Sequence, residues 1–261
     1  MPTPAGDCTA DPVKRFTARV EAYVKARPRY PRAVIDHLAE QIGLEPSWHV
    51  VDVGSGTGIS CELFLEHGHH VTGVEPNDAM RAAAERSLQR YANFHSISAA
   101  AEATTLRDAC ADLVVAAQAF HWFDRHAARR EFTRILRPGG LVLLMWNDRQ
   151  LTGSSFLEAY EQLLLTFGTD YLKVRHNNIA AETIAAFFAP CPYQHASLPN
   201  EQQLEFNSLR DRLLSSSYVP LPSEPQHDAM LARLREIFNR HQHRGCVTLT
   251  YRTEMFYGRL R

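Results

Sequence analysis

The chain has 261 residues, 45% hydrophobic and 22% charged, the balance of a soluble globular protein with room for one α/β core and not of a disordered or membrane-spanning chain. Its 28 Lys and Arg stand against 29 Asp and Glu for a net charge of -1, and the basic residues are spread along the chain, which argues against a polyanion partner such as nucleic acid. Cys8, Cys61, Cys110, Cys191 and Cys246 are scattered and never form a CxxC, so reduced thiols are expected; with no signal-like N-terminus and no apolar run near the ~18 residues of a membrane span, the expectation is a cytoplasmic protein with no membrane partner.

The first dozen residues, rich in Pro, Gly and Thr, read as a loose tail. A helix follows, with Phe16, Val20, Tyr23 and Val24 sharing a face, and "RPRYP" ends it because Pro28 and Pro31 disfavour helix in the residues before them. Helical spacing resumes from Val34 to Ile42 and stops at Gly43. From Trp48 strand and helix alternate: "WHVVDV", a helix "GISCELFLEHG", "HVTGVEP", a helix "NDAMRAAAERSLQRY" opened by an Asn or Asp cap, a weaker strand "FHSISAA", "ADLVVAAQAF", a helix "DRHAARREFTRIL" capped by Asp124, and "GGLVLLMWN" after the turn "RPGG". Strands separated by helix-length segments imply parallel βαβ units covered on both faces. Beyond Asn147, "SSFLEAYEQLLLTF" and "AAETIAAFFA" read as helices, and "YQHASLPNEQQLEF" and "CVTLTYRTEMFYGRL" as two further strands joined by the helical "HDAMLARLREIFNRHQ".

The most informative stretch is "VVDVGSGTGIS", where a β-branched run stops at Gly54, Gly56 and Gly58. A dinucleotide fingerprint would need glycine where Ile59 stands, and a phosphate-binding P-loop would need Lys then Ser or Thr after the last glycine. What remains is a turn that lets a ligand approach backbone closely ahead of a helix N-terminus. Glu75 closes the second strand, where a carboxylate can accept both hydroxyls of a ribose. A bare tight turn is the bland alternative.

An acid followed by GxGxG resembles motif I of the class I S-adenosylmethionine-dependent methyltransferases, and other segments fall in the family's order: "VEPNDAMRAAA", "AAAEATTLRDACADLVVAAQAFHWFD" and "ILRPGGLVLLMWN", together covering residues 46 to 147. The resemblance implies a Rossmann-like fold, a seven-stranded mostly parallel sheet with helices on both faces, and a site for S-adenosylmethionine, with S-adenosylhomocysteine as product. It implies that Asp52, Gly54, Ser55, Gly56 and Gly58 receive the methionine end, Glu75 the ribose, Pro76, Met80, Ala101 and Glu102 the adenine, and that Ala117 and Gln118 complete the cofactor wall. Thr104 and Thr105 depart from the family's usual Leu-Pro.

The flanks "FTARVEAYVKARPRYP", "AQAFHWFD", "SSSYVP" and "YRTEMFYGR" are similar to the small-molecule branch near trans-aconitate methyltransferase. "AQAFHW" also lacks the [DNS]PP[YF]-type turn of amino-methylating DNA enzymes, a second reason to expect a small-molecule acceptor and no nucleic acid. His121, leaving the carboxyl end of strand four, is the candidate general base, with a packing role as the alternative. Tyr23, Tyr30, Trp122, Trp146 and Tyr218 are candidate aromatic walls for sulfonium and acceptor, and Arg27 a candidate carboxylate clamp. "HGHH" at His67 to His70 and "HQHRGC" at His241 to Cys246 lack a second spaced pair, so solvated loops are expected and no metal. The organisation expected is a helical lid over 1–45, a cofactor-binding core over 46–147 and an elaboration over 148–261 supplying a substrate cap and the last two strands, as monomer or homodimer. The activity expected is methyl transfer to a carboxylate or hydroxyl oxygen, with an N-methyltransferase of a small amine, or a cofactor-binding protein without turnover, as alternatives.

Overall fold

Short β-branched runs build the centre of the molecule, a computed structural model describing residues 27–169, 171, 181–216 and 218–261. The expected N-terminal tail and helix, with Tyr23, lie outside the described residues. The strands are β1 (His49–Val53), β2 (His70–Val74), β3 (Phe94–Ile97), β4 (Ala111–Ala117), β5 (Leu136–Arg149), β6 (Tyr193–Leu204) and β7 (Val247–Gly258). They form one sheet in the order β3-β2-β1-β4-β5-β7-β6. The first five run parallel, and β7 pairs antiparallel with both β5 and β6. Val50, Val51 and Val53 have no exposed surface, as parallel strands covered on both faces require.

The helices are α1 (Ala33–Ile42), α2 (Ile59–Leu65), α3 (Asp78–Leu88), α4 (Arg125–Ile135), α5 (Ser155–Phe167), α6 (Ala181–Phe188), α7 (Phe206–Leu214) and α8 (His227–His241). Val34 and Leu38 of α1, Phe64 of α2 and Leu88 of α3 pack on one face against Val50, Leu113 and Leu143. Phe132 and Ile135 of α4 and Phe187 and Phe188 of α6 cover the other face over Val51, Val114 and Leu144. A third cluster joins α5, α7 and α8 to Leu249 and Tyr251 of β7. Arg129 of α4 ties the second face together, donating to the carbonyls of Phe187 (2.8 Å), Ala189 (2.7 Å) and Leu260 (2.8 Å).

Three local expectations change. Strand five begins at Leu136, ahead of "RPGG", because Leu136 pairs with Ala111 before a shift in register that brings Leu141 opposite Leu113. The strand expected to reach Phe206 stops at Leu204, and Phe206 opens α7, whose Leu209 and Leu213 turn one helical face into the third cluster. The "HGHH" loop is not solvated throughout, since His69 is buried edge-on to Phe64 at 5.8 Å. In the "HQHRGC" stretch, His243 and Cys246 close a tight turn by two backbone hydrogen bonds. No helix among the described residues is long and apolar enough to cross a membrane.

Candidate functional site

The strand order reverses direction between β1 and β4, and at the carboxyl ends of these strands a crevice opens, as expected for an open α/β sheet. The cavity there has a volume of about 440 Å³. Its floor is the glycine turn after β1. Gly54 and Gly58 hold left-handed φ angles of 71° and 84°, and a Cβ built on them would lie 2.6 Å from Ala119 Cβ and from Leu88 Cδ1, respectively. Both positions therefore need glycine on conformational and steric grounds. Gly54, Ser55 and Gly56 line the cavity; Gly58 stands behind it, where α2 packs on α3.

Glu75 ends the strand beside the turn and is buried. Its two oxygens are held by different loops: the Gly56 N–H donates to Oε2 (2.9 Å) and the Asn77 N–H to Oε1 (2.8 Å). Burial raises its pKa against the pull of these two donors. Each oxygen keeps a second lone pair, and the carboxylate lines the cavity. Asn77 caps α3 by accepting from Ala79 N–H (3.0 Å) and Met80 N–H (3.1 Å), which fixes Pro76 and Met80 on the same wall.

Asp52 is not on the wall. It lies fully buried under the turn, accepting hydrogen bonds at Oδ2 from Ser60 Oγ (2.5 Å) and Cys61 Sγ (3.1 Å). Burial pushes its pKa from 3.8 up to about 6, opposed by the Ser60 and Cys61 hydrogen bonds, while the Glu75 charge adds to the rise.

The third wall comes from the ends of β3 and β4. Ala101 and Glu102 line it, and Glu102 Oε1 accepts the Asp124 N–H (2.9 Å) next to the cap of α4. The Thr104 departure has a physical partner: buried Thr104 donates its N–H (2.8 Å) and hydroxyl (2.5 Å) to Glu131 of α4, which Arg134 also holds (2.7 Å). After Ala117 the chain takes a left-handed turn at Gln118 (φ 57°), and a short 3₁₀ turn, Phe120–Trp122, follows. A non-glycine residue in that conformation stores strain at the crevice edge. Phe120 anchors the turn, fully buried with Phe187 edge-on at 4.7 Å, so its neighbours His121 and Trp122 are left on the cavity wall. Burial lowers the His121 pKa to about 4, and the imidazole is neutral near pH 7.

Arg27, Tyr30, Asn147, Arg212 and Tyr218 also line the cavity. Arg27 Nη2 donates to the Ser215 carbonyl (3.2 Å), bridging 188 positions of sequence. Trp146 is absent from the wall: alternation along β5 turns it into the second-face cluster, edge-on to Phe120 (6.4 Å) and Phe256 (5.8 Å). Sequence reading missed Arg212 altogether. It sits in α7, between the apolar Leu209 and Leu213, and a charge embedded in that spacing was the available signal. It also missed Asn147, whose Oδ1 accepts from Thr253 Oγ1 (2.6 Å) and Asn200 Nδ2 (3.0 Å).

Residues 51–144 match the family model described as a methyltransferase domain. A methyltransferase-like protein of Schizosaccharomyces pombe is 26% identical over 248 residues, 94% of each chain. A methyltransferase of Mycobacterium tuberculosis is 36% identical over 138 residues, 51% of this chain and 52% of that one, so the match spans about half of that relative. Among solved structures, one from Anaeromyxobacter dehalogenans named for a type II methyltransferase superposes with a TM-score of 0.67 at 22% identity, over 90% of this chain and 98% of that one, a likeness of fold. With the seven-stranded sheet, the glycine turn and the match over residues 51–144 in agreement, the chain carries a methyltransferase domain on a class I fold, with S-adenosylmethionine as its cofactor.

Proposed function

We propose that the enzyme methylates a small molecule, at a carboxylate or hydroxyl oxygen in preference to an amine. The observation that carries this reading is that one cavity is lined both by the glycine turn with Glu75 and by Arg27, Arg212 and Tyr218. The first group fits the cofactor. Backbone at Gly54, Ser55 and Gly56 offers close approach to a methionine carboxylate, Glu75 has a free lone pair on each oxygen for two ribose hydroxyls, and Pro76, Met80, Ala101 and Glu102 border the space left for adenine, with Ala117 and Gln118 closing it. When bound, S-adenosylmethionine supplies a methyl group on a positively charged sulfur.

The remaining tasks fall to the chain. Methyl transfer is an in-line displacement, so the walls must align the acceptor oxygen and keep water out. The Trp122 ring, on the cavity wall, offers a π face to a cation. A carboxylate acceptor is already ionised near pH 7 and needs no base. His121, with a pKa near 4, is then a neutral wall residue and not a proton carrier. A second reading keeps His121 as the base for a hydroxyl or amine acceptor, since it lines the cavity and is neutral at pH 7. The described residues of 27–45 and 148–261 act in this reading as lid and acceptor cap around the core.

The test is a screen of small acids, phenols and amines with methyl-labelled S-adenosylmethionine. Label transferred to acids or phenols supports the oxygen reading; transfer confined to amines overturns it. Cofactor binding with no transfer to any member of a cell extract favours a binding protein without turnover.

A further inference from the structure

We propose that Arg212 is the anchor for a carboxylate carried by the methyl acceptor, an inference that rests on the small-molecule reading above and narrows it. Arg212 is drawn inward by its helix: Leu209, three residues before it, and Leu213, directly after it, are fully buried in the third cluster, and Arg212 itself is only 7% exposed. Yet it lines the same cavity as Glu75 and the glycine turn.

Its partners do not neutralise it. Nη1 reaches Ser216 Oγ at a long 3.4 Å, Nε is buried with no hydrogen-bond partner, and the groups around the guanidinium are the phenols of Tyr160, Tyr218 and Tyr251, the last in hydrogen-bond contact. No carboxylate among the described residues lies within ion-pair distance of it. The contrast is Arg149, the other buried arginine of this region, which donates to Glu161 (2.5 Å) and Tyr171 (2.8 Å). Arg149 thus has the buried Glu161 as its counter-ion, whereas Arg212 has none among the described residues. A buried charge without a counter-ion is costly, so the surplus is most readily met by an anion entering from the cavity.

A carboxylate is the simplest anion for this position: the unmatched charge on Arg212 is single, and its planar guanidinium fork meets the two oxygens of a carboxylate in two-point contact. Arg27 strengthens the site, since it donates to the Ser215 carbonyl while Arg212 contacts Ser216, which brings both cations to the same turn after α7.

The test is calorimetric titration of full-length protein saturated with S-adenosylhomocysteine, using malonate, succinate, glutarate, adipate and benzoate and the matching amides. Wild type should bind at least one acid about tenfold or more tightly than its amide, as a charged hydrogen-bonded pair implies. Arg212→Gln should bring that preference close to unity while leaving S-adenosylhomocysteine affinity unchanged. Arg212→Lys, which keeps the charge but loses the fork, should retain part of it and guards against a folding defect in the Gln variant. The proposal is overturned if wild type prefers no acid over its amide, or if either acid preference survives intact in a folded Arg212→Gln protein. Failure of wild type to bind S-adenosylhomocysteine would instead overturn the cofactor wall described above.

Discussion

Glu75→Gln is the most discriminating substitution in the cofactor wall, because it keeps size and changes one atom. If the carboxylate only met a ribose, an amide would be a mild replacement. Here both oxygens already serve backbone donors, Gly56 N–H at 2.9 Å and Asn77 N–H at 2.8 Å. A glutamine must therefore turn its NH₂ toward one of these N–H groups, leaving two donors facing each other in a buried position. Losing charged acceptance of the ribose hydroxyls costs about 1.5–3 kcal/mol, or roughly 10- to 150-fold in affinity. Glu75→Ala should lose a similar amount, since it removes the ribose acceptor and strands both backbone donors. Calorimetry of S-adenosylhomocysteine binding reads both variants, with thermal unfolding as the control for fold. Because burial raises the pKa of Glu75, wild-type affinity should also fall as pH is lowered, sooner than for an ordinary glutamate. Glutamine binding within twofold of wild type, in a folded protein, would refute this account of the wall.

Asp52, buried with its pKa raised from 3.8 to about 6, binds a proton more tightly folded than unfolded, so it lowers stability as pH rises through that window. Asp52→Asn should therefore gain on wild type by up to ~3 kcal/mol between about pH 4 and pH 7 in urea unfolding, and parallel profiles would contradict it. His121→Gln should keep turnover within about threefold on a carboxylate acceptor; a fall of ~10²-fold or more would make proton removal part of the reaction and favour a hydroxyl or amine. Phe120→Ala should cost about 3–5 kcal/mol of stability through the cavity left beside Phe187, and should weaken acceptor binding by freeing the turn that carries His121 and Trp122.

The cofactor half was legible because its constraints are local. Val50, Val51 and Val53 are β-branched, Gly54 and Gly58 admit no side chain, and Asn77 announces the start of a helix, so strand, turn and cap can be read within thirty residues. Motif spacing did not reveal which atoms face the ligand. Asp52 belongs to the motif yet turns away under α2, and Trp146 falls on the far face of β5. The acceptor half was harder because it is assembled from distant pieces. Arg27 and Ser215 meet across 188 positions, and α7 hid in a polar stretch whose Leu209 and Leu213 gave only two apolar repeats. Thr104 looked like an anomaly until its partner Glu131, 27 residues away, was in place.

The sheet order also dictates a schedule of assembly. β7 lies between β5 and β6, although β6 comes before it in the chain, so Tyr193–Leu204 has no place to dock until Val247–Gly258 has arrived. During synthesis the edge of β5 beyond β4, with Leu141, Val142, Leu143, Leu144 and Met145 in succession, must wait more than a hundred residues for its cover. A bare edge of that kind recruits other chains. Solubility of the newborn protein should accordingly depend on how fast the C-terminal third is delivered, and slow translation after residue 150 should raise aggregation without altering the finished enzyme.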